Sequence, residues 1–153
     1  MEEGERVEFE GGGFEMTPHT ADIGIRVFSK DWPGLLMAAA RGMFACIGEL
    51  KPLARQSEIR RTVQLAARSR PELLRDWLAE LLYWFERDRA AFNIAELHVS
   101  ESAGKFALLA EVAGQPYDPV GSALMRELKA VTYHGLRVDQ TADGWTAEVV
   151  FDI

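Results

Sequence analysis

The sequence predicts an α+β fold, a single two-layer domain with two helices packed on one face of a mostly antiparallel or mixed sheet. Strand and helix patterns alternate in the first half of the chain, and the second half contains only strand-like segments. With 153 residues, of which 48% are hydrophobic and 27% charged, the chain is long enough to bury one core. We expect this domain to span residues 14–153 and to follow a flexible, acidic and glycine-rich tail over residues 1–13.

Two helices are predicted, each with its own start signal. Alternating apolar residues indicate a strand over residues 23–28, after which Asp31 can cap a helix that takes Pro33 in its first turn and ends near Gly48. A second strand over residues 58–66 precedes a helix that opens with the Ser-x-x-Glu spacing of a capping box. Its large apolar residues recur at steps of three and four and form a core stripe: Leu73, Leu74, Trp77, Leu78, Leu81, Leu82 and Phe85.

The remaining elements are predicted strands, and Asp143 and Gly144 form a tight-turn signal between the last two. These strands are expected over residues 92–100, 105–112, 128–138 and 145–153. No apolar run approaches the roughly 18 residues of a membrane-spanning helix, so no membrane partner is expected. The start of the chain lacks a signal-peptide pattern, and its one cysteine, Cys46, lies among apolar neighbours. We therefore expect a cytoplasmic protein with a buried, inert thiol.

The charge distribution is uneven. A net charge of −7 argues against tight nonspecific binding to nucleic acid, which requires a basic surface. Seven basic residues nevertheless cluster in the middle of the chain, where they form either a solvated face or a docking patch for RNA or an acidic partner. This basic cluster consists of Lys51, Arg55, Arg60, Arg61, Arg68, Arg70 and Arg75.

The end of the chain contains the first candidate site. Residues 149–153 read as a buried strand that places the side chain of Asp152 beside the carboxylate of Ile153. Two anions held that close repel each other unless a cation or several hydrogen-bond donors lie between them. This favours a site for a hard, oxygen-binding metal ion.

Two further polar segments are candidates for chemistry. In the first, His19, Thr20 and Asp22 precede a strand, and they serve either a functional site or the local amides of a polar turn. In the second, Lys129 is either a ligand for a phosphate or carboxylate or an exposed strand lysine, and His134 is a functional or a structural histidine. Glycine-rich phosphate loops, paired cysteines and His-x-x-x-His spacing are absent from the sequence, so its motifs do not indicate a stand-alone enzyme.

Taken together, these segments resemble the archease family. The likeness rests on His-Thr-Ala-Asp-Ile-Gly at 19–24, Lys-Ala-Val-Thr-Tyr-His at 129–134 and Val-Phe-Asp-Ile at 150–153. The segments Ala38–Phe44 and Leu73–Tyr83 are similar to the two helices of the family. The resemblance covers residues 14–153 and implies a small α+β protein.

The resemblance also implies a function. Archeases bind calcium or a similar divalent ion, with magnesium and manganese as alternatives. They activate the tRNA-splicing 3′-phosphate RNA ligase by promoting transfer of GMP from GTP onto the ligase's active-site histidine, which allows multiple turnover in tRNA splicing and RNA repair. The resemblance thus implies that the protein acts on RNA only indirectly, through the ligase.

By the same likeness, Asp22 and Asp152 would be metal ligands and Ile153 would add an oxygen. Lys129 would be a functional residue of the same site, with His19 and His134 as further functional candidates. The chain departs from the family pattern at Pro18, where an acid is usual.

A second departure is Gln115, where the family commonly has glutamate. Fewer acids would weaken metal binding, so the motif indicates a metal site more strongly than it indicates which ion binds there. Two alternatives stay open: a small metal-dependent phosphotransferase or hydrolase using Asp22, Asp152 and His134, and an RNA-binding or chaperone-like module using the basic cluster.

Overall fold

The computed structural model describes residues 4–18 and 22–153. Contacts divide the chain into two compact units, the first formed by residues up to Ile47 together with Arg126–Ile153 and the second by Gly48–Met125. The elements in chain order are β1 (Arg6–Phe9), β2 (Gly12–Pro18), β3 (Asp22–Ser29), α1 (Trp32–Ile47), β4 (Gly48–Glu49), β5 (Ile59–Ala67), α2 (Arg70–Asp88), β6 (Ala90–Ser102), β7 (Lys105–Pro116), β8 (Ala123–Leu124), β9 (Ala130–Val131), β10 (Arg137–Thr141) and β11 (Gly144–Asp152).

The first unit is an antiparallel sheet with one helix on it. The strands lie in the order β1-β2-β3-β11-β10, and β9 also pairs with β11, beside its last residues. Helix α1 packs against β2, β3 and β11. Gly42 permits this close approach, because a Cβ atom there would lie 3.1 Å from Cγ of Phe14. The helix begins after Asp31, whose Oδ1 accepts a hydrogen bond from the Gly34 amide at 2.7 Å, as the sequence predicts.

Cys46 lies inside this core. The residue is fully buried, and burial raises the pKa of its thiol to about 11. The thiolate is therefore scarcely populated at neutral pH, so the side chain acts as a small apolar core residue.

The second unit contains a three-stranded antiparallel sheet, β5-β7-β6, and a short two-stranded sheet, β4-β8. Helix α2 packs on the larger sheet. Ser69 caps it by accepting a hydrogen bond from the Glu72 amide at 3.3 Å, which confirms the predicted start. Six residues of the predicted stripe are buried, and Phe85 stacks at a centroid distance of 5.6 Å on Tyr117.

The α+β class, with two helices and mostly antiparallel strands, is confirmed. The sequence predicts both helices on one sheet, whereas in the structure each helix packs on a sheet of its own. Hydrophobic periodicity shows that a strand buries one face, but it does not identify the neighbouring strand, which tertiary packing selects. Neither helix combines the length and hydropathy needed to cross a membrane, as judged over the described residues.

The sequence predicts a strand over residues 128–138 that the structure divides in two. Strand β9 ends at Val131, and β10 begins at Arg137. Between them, the Leu136 amide donates to the carbonyl of Tyr133 at 3.4 Å, and Gly135 takes a φ of 62°. The prediction of one continuous strand was wrong because the glycine permits a tight turn that alternation of side chains does not reveal.

The flexible tail predicted over residues 1–13 is corrected for its described part, residues 4–13, which contains strand structure. Strand β1 pairs with β2, and Gly13 lies inside β2. The ring of Phe28 lies against Gly13, where an added Cβ would be 2.5 Å from Cζ of that ring and 2.3 Å from the carbonyl oxygen of Val7. On the ring of Phe28 lies the guanidinium of Arg6, 4.2 Å from its centroid. The glycines that suggested flexibility here allow close packing instead.

This packing predicts that Gly13→Ala will detach β1 from the sheet. The new methyl group has no room between the Val7 carbonyl and the Phe28 ring, so the unfolding free energy should fall by about 1–3 kcal/mol. Urea unfolding and hydrogen exchange of the β1 amides measure the effect. Glu10→Ala, an exposed change nearby, should stay within about 0.5 kcal/mol. Unchanged exchange in β1 would contradict the prediction.

Candidate metal-binding site

Asp22 and Asp152 lie directly opposite each other in the first unit. Strand β3 begins at Asp22 and the antiparallel β11 ends at Asp152, and the two residues are register partners. Register partners share a face of the sheet, with Cβ atoms about 4.5–5.5 Å apart. The residues next to them, Ile23 and Phe151, are buried in the core, so alternation places both acids on the face away from α1.

Elsewhere on this face, opposite charges alternate across the strands. Arg26 lies between Glu15 at 2.7 Å and Glu148 at 3.1 Å, and Glu148 is the register partner of Arg137. Hydrogen bonds to Glu148 and Glu15 raise the pKa of Arg26 above its usual value. The row that holds Asp22 and Asp152 instead places two like charges together, which is unfavourable unless a cation joins them.

The surroundings of the two acids fit a hard cation. Oδ1 of Asp22 is shielded from solvent, whereas Asp152 is exposed. The Asp152 carboxylate forms no hydrogen bond or ion pair with residues 4–18 or 22–153. Carboxylate oxygens are the ligands that calcium and magnesium prefer. Within the described ranges, no group of three or more His, Cys, Asp or Glu side chains could hold a metal ion, so these two acids would need further oxygens.

Lys129 lies beside the acid pair through its main chain. Its amide donates to the carbonyl of Asp152 at 2.8 Å, and the next residue, Ala130, is the register partner of Asp152. The side chain of Lys129 is exposed and makes no ion pair with any described residue. Its ammonium group is therefore available to an external anion.

Of the two candidate histidines, only His134 lies within the described residues. His134 lies on the exposed turn after β9, and its side chain forms no hydrogen bond or ion pair with the described residues. His19 lies outside the described residues. Ile153 follows Asp152 directly and is 45% exposed, so it lies next to the acid pair by chain connectivity.

Thr132 is a residue of this region that sequence reasoning left without a role. It is 8% exposed, and its hydroxyl donates to the carbonyl of Val150 at 2.9 Å. The only sequence signal was its position between Lys129 and His134, since a buried hydroxyl cannot be distinguished from an exposed one on a short strand.

The basic cluster is largely neutralised by neighbouring acids. Four of its seven members have a carboxylate oxygen within 3.3 Å: Arg60 with Glu58, Arg61 with Asp88, Arg70 with Glu101 and Arg75 with Asp76. The pKa of Arg61 is raised above its usual value by its hydrogen bond to Asp88. This compensation favours a solvated face over an RNA-binding patch.

The fold and the site define an α+β protein with a pair of acids at the meeting ends of two strands. The family model described as "Archease protein family (MTH1598/TM1083)" matches residues 14–153. A protein archease from Methanosarcina barkeri is 36% identical over 145 residues, which cover 94% of this chain and 98% of the relative. The chain belongs to the archease family.

Two solved structures are similar to this one. The solution structure of protein 1598 from Methanobacterium thermoautotrophicum has a TM-score of 0.77 and 26% identity, with 92% of this chain and 98% of that chain covered. A crystal structure from Thermotoga maritima, of an archease described as a possible chaperone, has a TM-score of 0.57 and 19% identity, with 88% and 93% covered. The second likeness extends to the fold alone.

Proposed function

We propose that this protein is a metal-binding accessory protein of a 3′-phosphate RNA ligase in tRNA splicing or RNA repair. In this role it promotes transfer of GMP from GTP onto the ligase's active-site histidine, so that the ligase turns over repeatedly. The observation that carries the proposal is the register pairing of Asp22 with Asp152. We place this activity in the cytoplasm, where a lone cysteine such as Cys46 stays reduced.

The acid pair would hold one divalent cation, calcium in the first instance, with magnesium or manganese as alternatives. Asp22 and Asp152 supply carboxylate oxygens from adjacent strands, and Ile153 would add another oxygen. Calcium takes six to eight oxygen ligands, so two carboxylates leave positions for water and for groups of a partner. When bound, such an ion supplies positive charge that stabilises phosphate oxygens.

Lys129 would add a second positive charge at the same place. Its main-chain bond to Asp152 fixes the start of the side chain, and its exposed ammonium group can contact a phosphate. The two acids hold and orient the cation, while Lys129 orients the phosphate. The chain thus supplies positioning to a reaction whose nucleophile belongs to the partner.

The surroundings of the site favour an accessory role over an independent enzyme. A nucleophile in an enzyme is usually within hydrogen-bond reach of a general base. Here the His134 side chain is exposed and makes no hydrogen bond with described residues.

The test is ligase guanylylation with GTP and a divalent ion, using the matching ligase in limiting amount. Addition of this protein should convert a single round into many, and Lys129→Ala should lose at least tenfold of the stimulation. Lys30→Ala is the matched control, because Lys30 is an exposed lysine that follows the opposite end of β3. It should stimulate normally.

Two outcomes would contradict the proposal. A competent ligase that does not respond to the wild-type protein would overturn the accessory role. Hydrolysis of a phosphate ester by this protein alone, lost in Asp22→Ala, would support the phosphotransferase or hydrolase alternative instead.

A further inference from the structure

The segment that contains Lys129 is attached to β11 at few points. Strand β9 pairs through only two residues, Ala130 and Val131, before the chain turns away. A strand this short has little stability of its own, and local opening would release it before the rest of the sheet. Besides this ladder and the buried side chains of Leu128 and Val131, a further attachment holds the segment to β11.

Thr132 provides that attachment through two atoms. Its amide donates to the carbonyl of Val150 at 3.0 Å, and its hydroxyl donates to the same carbonyl at 2.9 Å. The hydroxyl also accepts a hydrogen bond from the amide of His134 at 3.2 Å. One buried side chain therefore joins β11 both to the end of β9 and to the turn that follows it.

These bonds lie close to the acid pair along both strands. Val150 is two residues before Asp152, and Thr132 is three residues after Lys129. The Lys129 amide bond to the Asp152 carbonyl closes the other end, so the segment is held at two points on either side of Ala130. Opening at Thr132 would leave Lys129 attached by one bond and by its short ladder.

We propose that Thr132 is a positioning residue, which fixes Lys129 relative to the Asp22–Asp152 pair through its hydroxyl group. The expected effect on ligase stimulation rests on the proposed function, whereas the placement of Lys129 can be measured without the ligase. Because a displacement of about 1 Å can cost 100-fold in rate, the hydroxyl matters to stimulation even though it contacts neither cation nor phosphate.

The alternative is that Thr132 only fills space. Thr132→Val keeps the shape of the side chain and removes the hydroxyl, whereas Thr132→Ser keeps the hydroxyl and removes the methyl group. If the hydroxyl positions the segment, serine should restore what valine loses. If the methyl group fills the core, serine should be the more damaging change.

The first measurement is amide hydrogen exchange of the ion-free protein by NMR. In Thr132→Val, the amides of Lys129 and His134 should exchange about tenfold faster, because valine removes both hydrogen bonds of the hydroxyl, one to the Val150 carbonyl and one from the His134 amide. Amides of β5 in the second unit should be unchanged and serve as the internal control. Thr132→Ser should exchange at close to the wild-type rate.

The second measurement is stimulation of ligase guanylylation, with calcium affinity determined by titration calorimetry. Stimulation by Thr132→Val should fall at least fivefold, while calcium affinity changes less than twofold because both acids are retained. Thr132→Ser should keep most of the stimulation.

Wild-type exchange at Lys129 and His134 in Thr132→Val would overturn the positioning role, as would a serine variant that behaves like valine. These exchange results stand even if the wild-type protein fails to stimulate any ligase. In that case the proposed function is wrong, and the exchange rates alone decide whether Thr132 attaches the segment to β11.

Discussion

Asp152→Asn is expected to stabilise the ion-free protein slightly and to abolish its response to calcium. Asp22 and Asp152 are register partners with the same charge, and like charges directly opposite on a sheet are destabilising. Removal of one charge should therefore raise the unfolding free energy by about 0.2–1 kcal/mol without calcium. An ordinary exposed aspartate would show no such gain.

With calcium present, the order of stability should reverse. A ligand at 100 times its Kd stabilises a folded protein by about 2.7 kcal/mol, and the wild-type protein should gain this amount. The asparagine variant, with one carboxylate ligand fewer, should gain little at the same concentration. Ligase stimulation should be lost with the calcium response.

Thermal unfolding with calcium chloride and with a chelator measures both effects. Asp139→Asn is the matched control, because Asp139 is an exposed acid of the same sheet whose neighbour Arg137 lies at 2.8 Å. That variant should lose a little stability, at most about 1 kcal/mol, and should keep the full calcium response. Equal stabilisation of Asp152→Asn and the wild-type protein by calcium would rule out Asp152 as a ligand.

Phe151→Ala should cause the largest loss of stability among the changes considered near the site. Phe151 is fully buried, and its register partners are Ile23 on one side and Val131 on the other. Truncation of a buried phenylalanine removes apolar contact and leaves a cavity, at a cost of about 3–5 kcal/mol. Both neighbouring strands lose their common contact next to Asp22, Asp152 and Ala130.

The binding site should weaken together with the fold. Calcium affinity of Phe151→Ala should fall even under conditions where the variant is folded, because β3, β9 and β11 no longer pack on a common side chain. Urea unfolding and calorimetry measure the two effects.

Two controls accompany this variant. Tyr133→Ala removes an aromatic ring that is 63% exposed in the same unit, and its unfolding free energy should change by less than about 0.5 kcal/mol. Phe151→Leu keeps most of the volume and should cost less than about 1.5 kcal/mol. A loss below 1 kcal/mol in Phe151→Ala would show that Phe151 does not support the sheet as the structure indicates.

Structural features that depend on residues a few positions apart could be predicted well from the sequence. The caps at Asp31 and Ser69 depend on a side chain and an amide three residues apart, so their spacing is visible directly. The apolar stripe of α2 depends on helical periodicity, which is also local. The last strand was predicted over residues 145–153 from its apolar residues, and β11 covers Gly144–Asp152.

Long-range pairing could not be read from the sequence. The tail was predicted as flexible because Gly11, Gly12 and Gly13 are adjacent, but Gly13 packs under Phe28, fifteen residues away. The strand over residues 128–138 was predicted as continuous because alternation continues across Gly135, where the backbone turns.

The sequence by itself determined the α+β class and both helices with their starts, and it singled out the acids that we propose as metal ligands. Only the tertiary structure decided which acids meet, because Asp22 and Asp152 are 130 positions apart and are brought together by the antiparallel register of β3 and β11. It also decided the hydrogen-bond partner of the Thr132 hydroxyl, which is a carbonyl on another strand. The physical reason is that caps and periodicity act within a few residues, whereas register is chosen by burial of the whole sheet face.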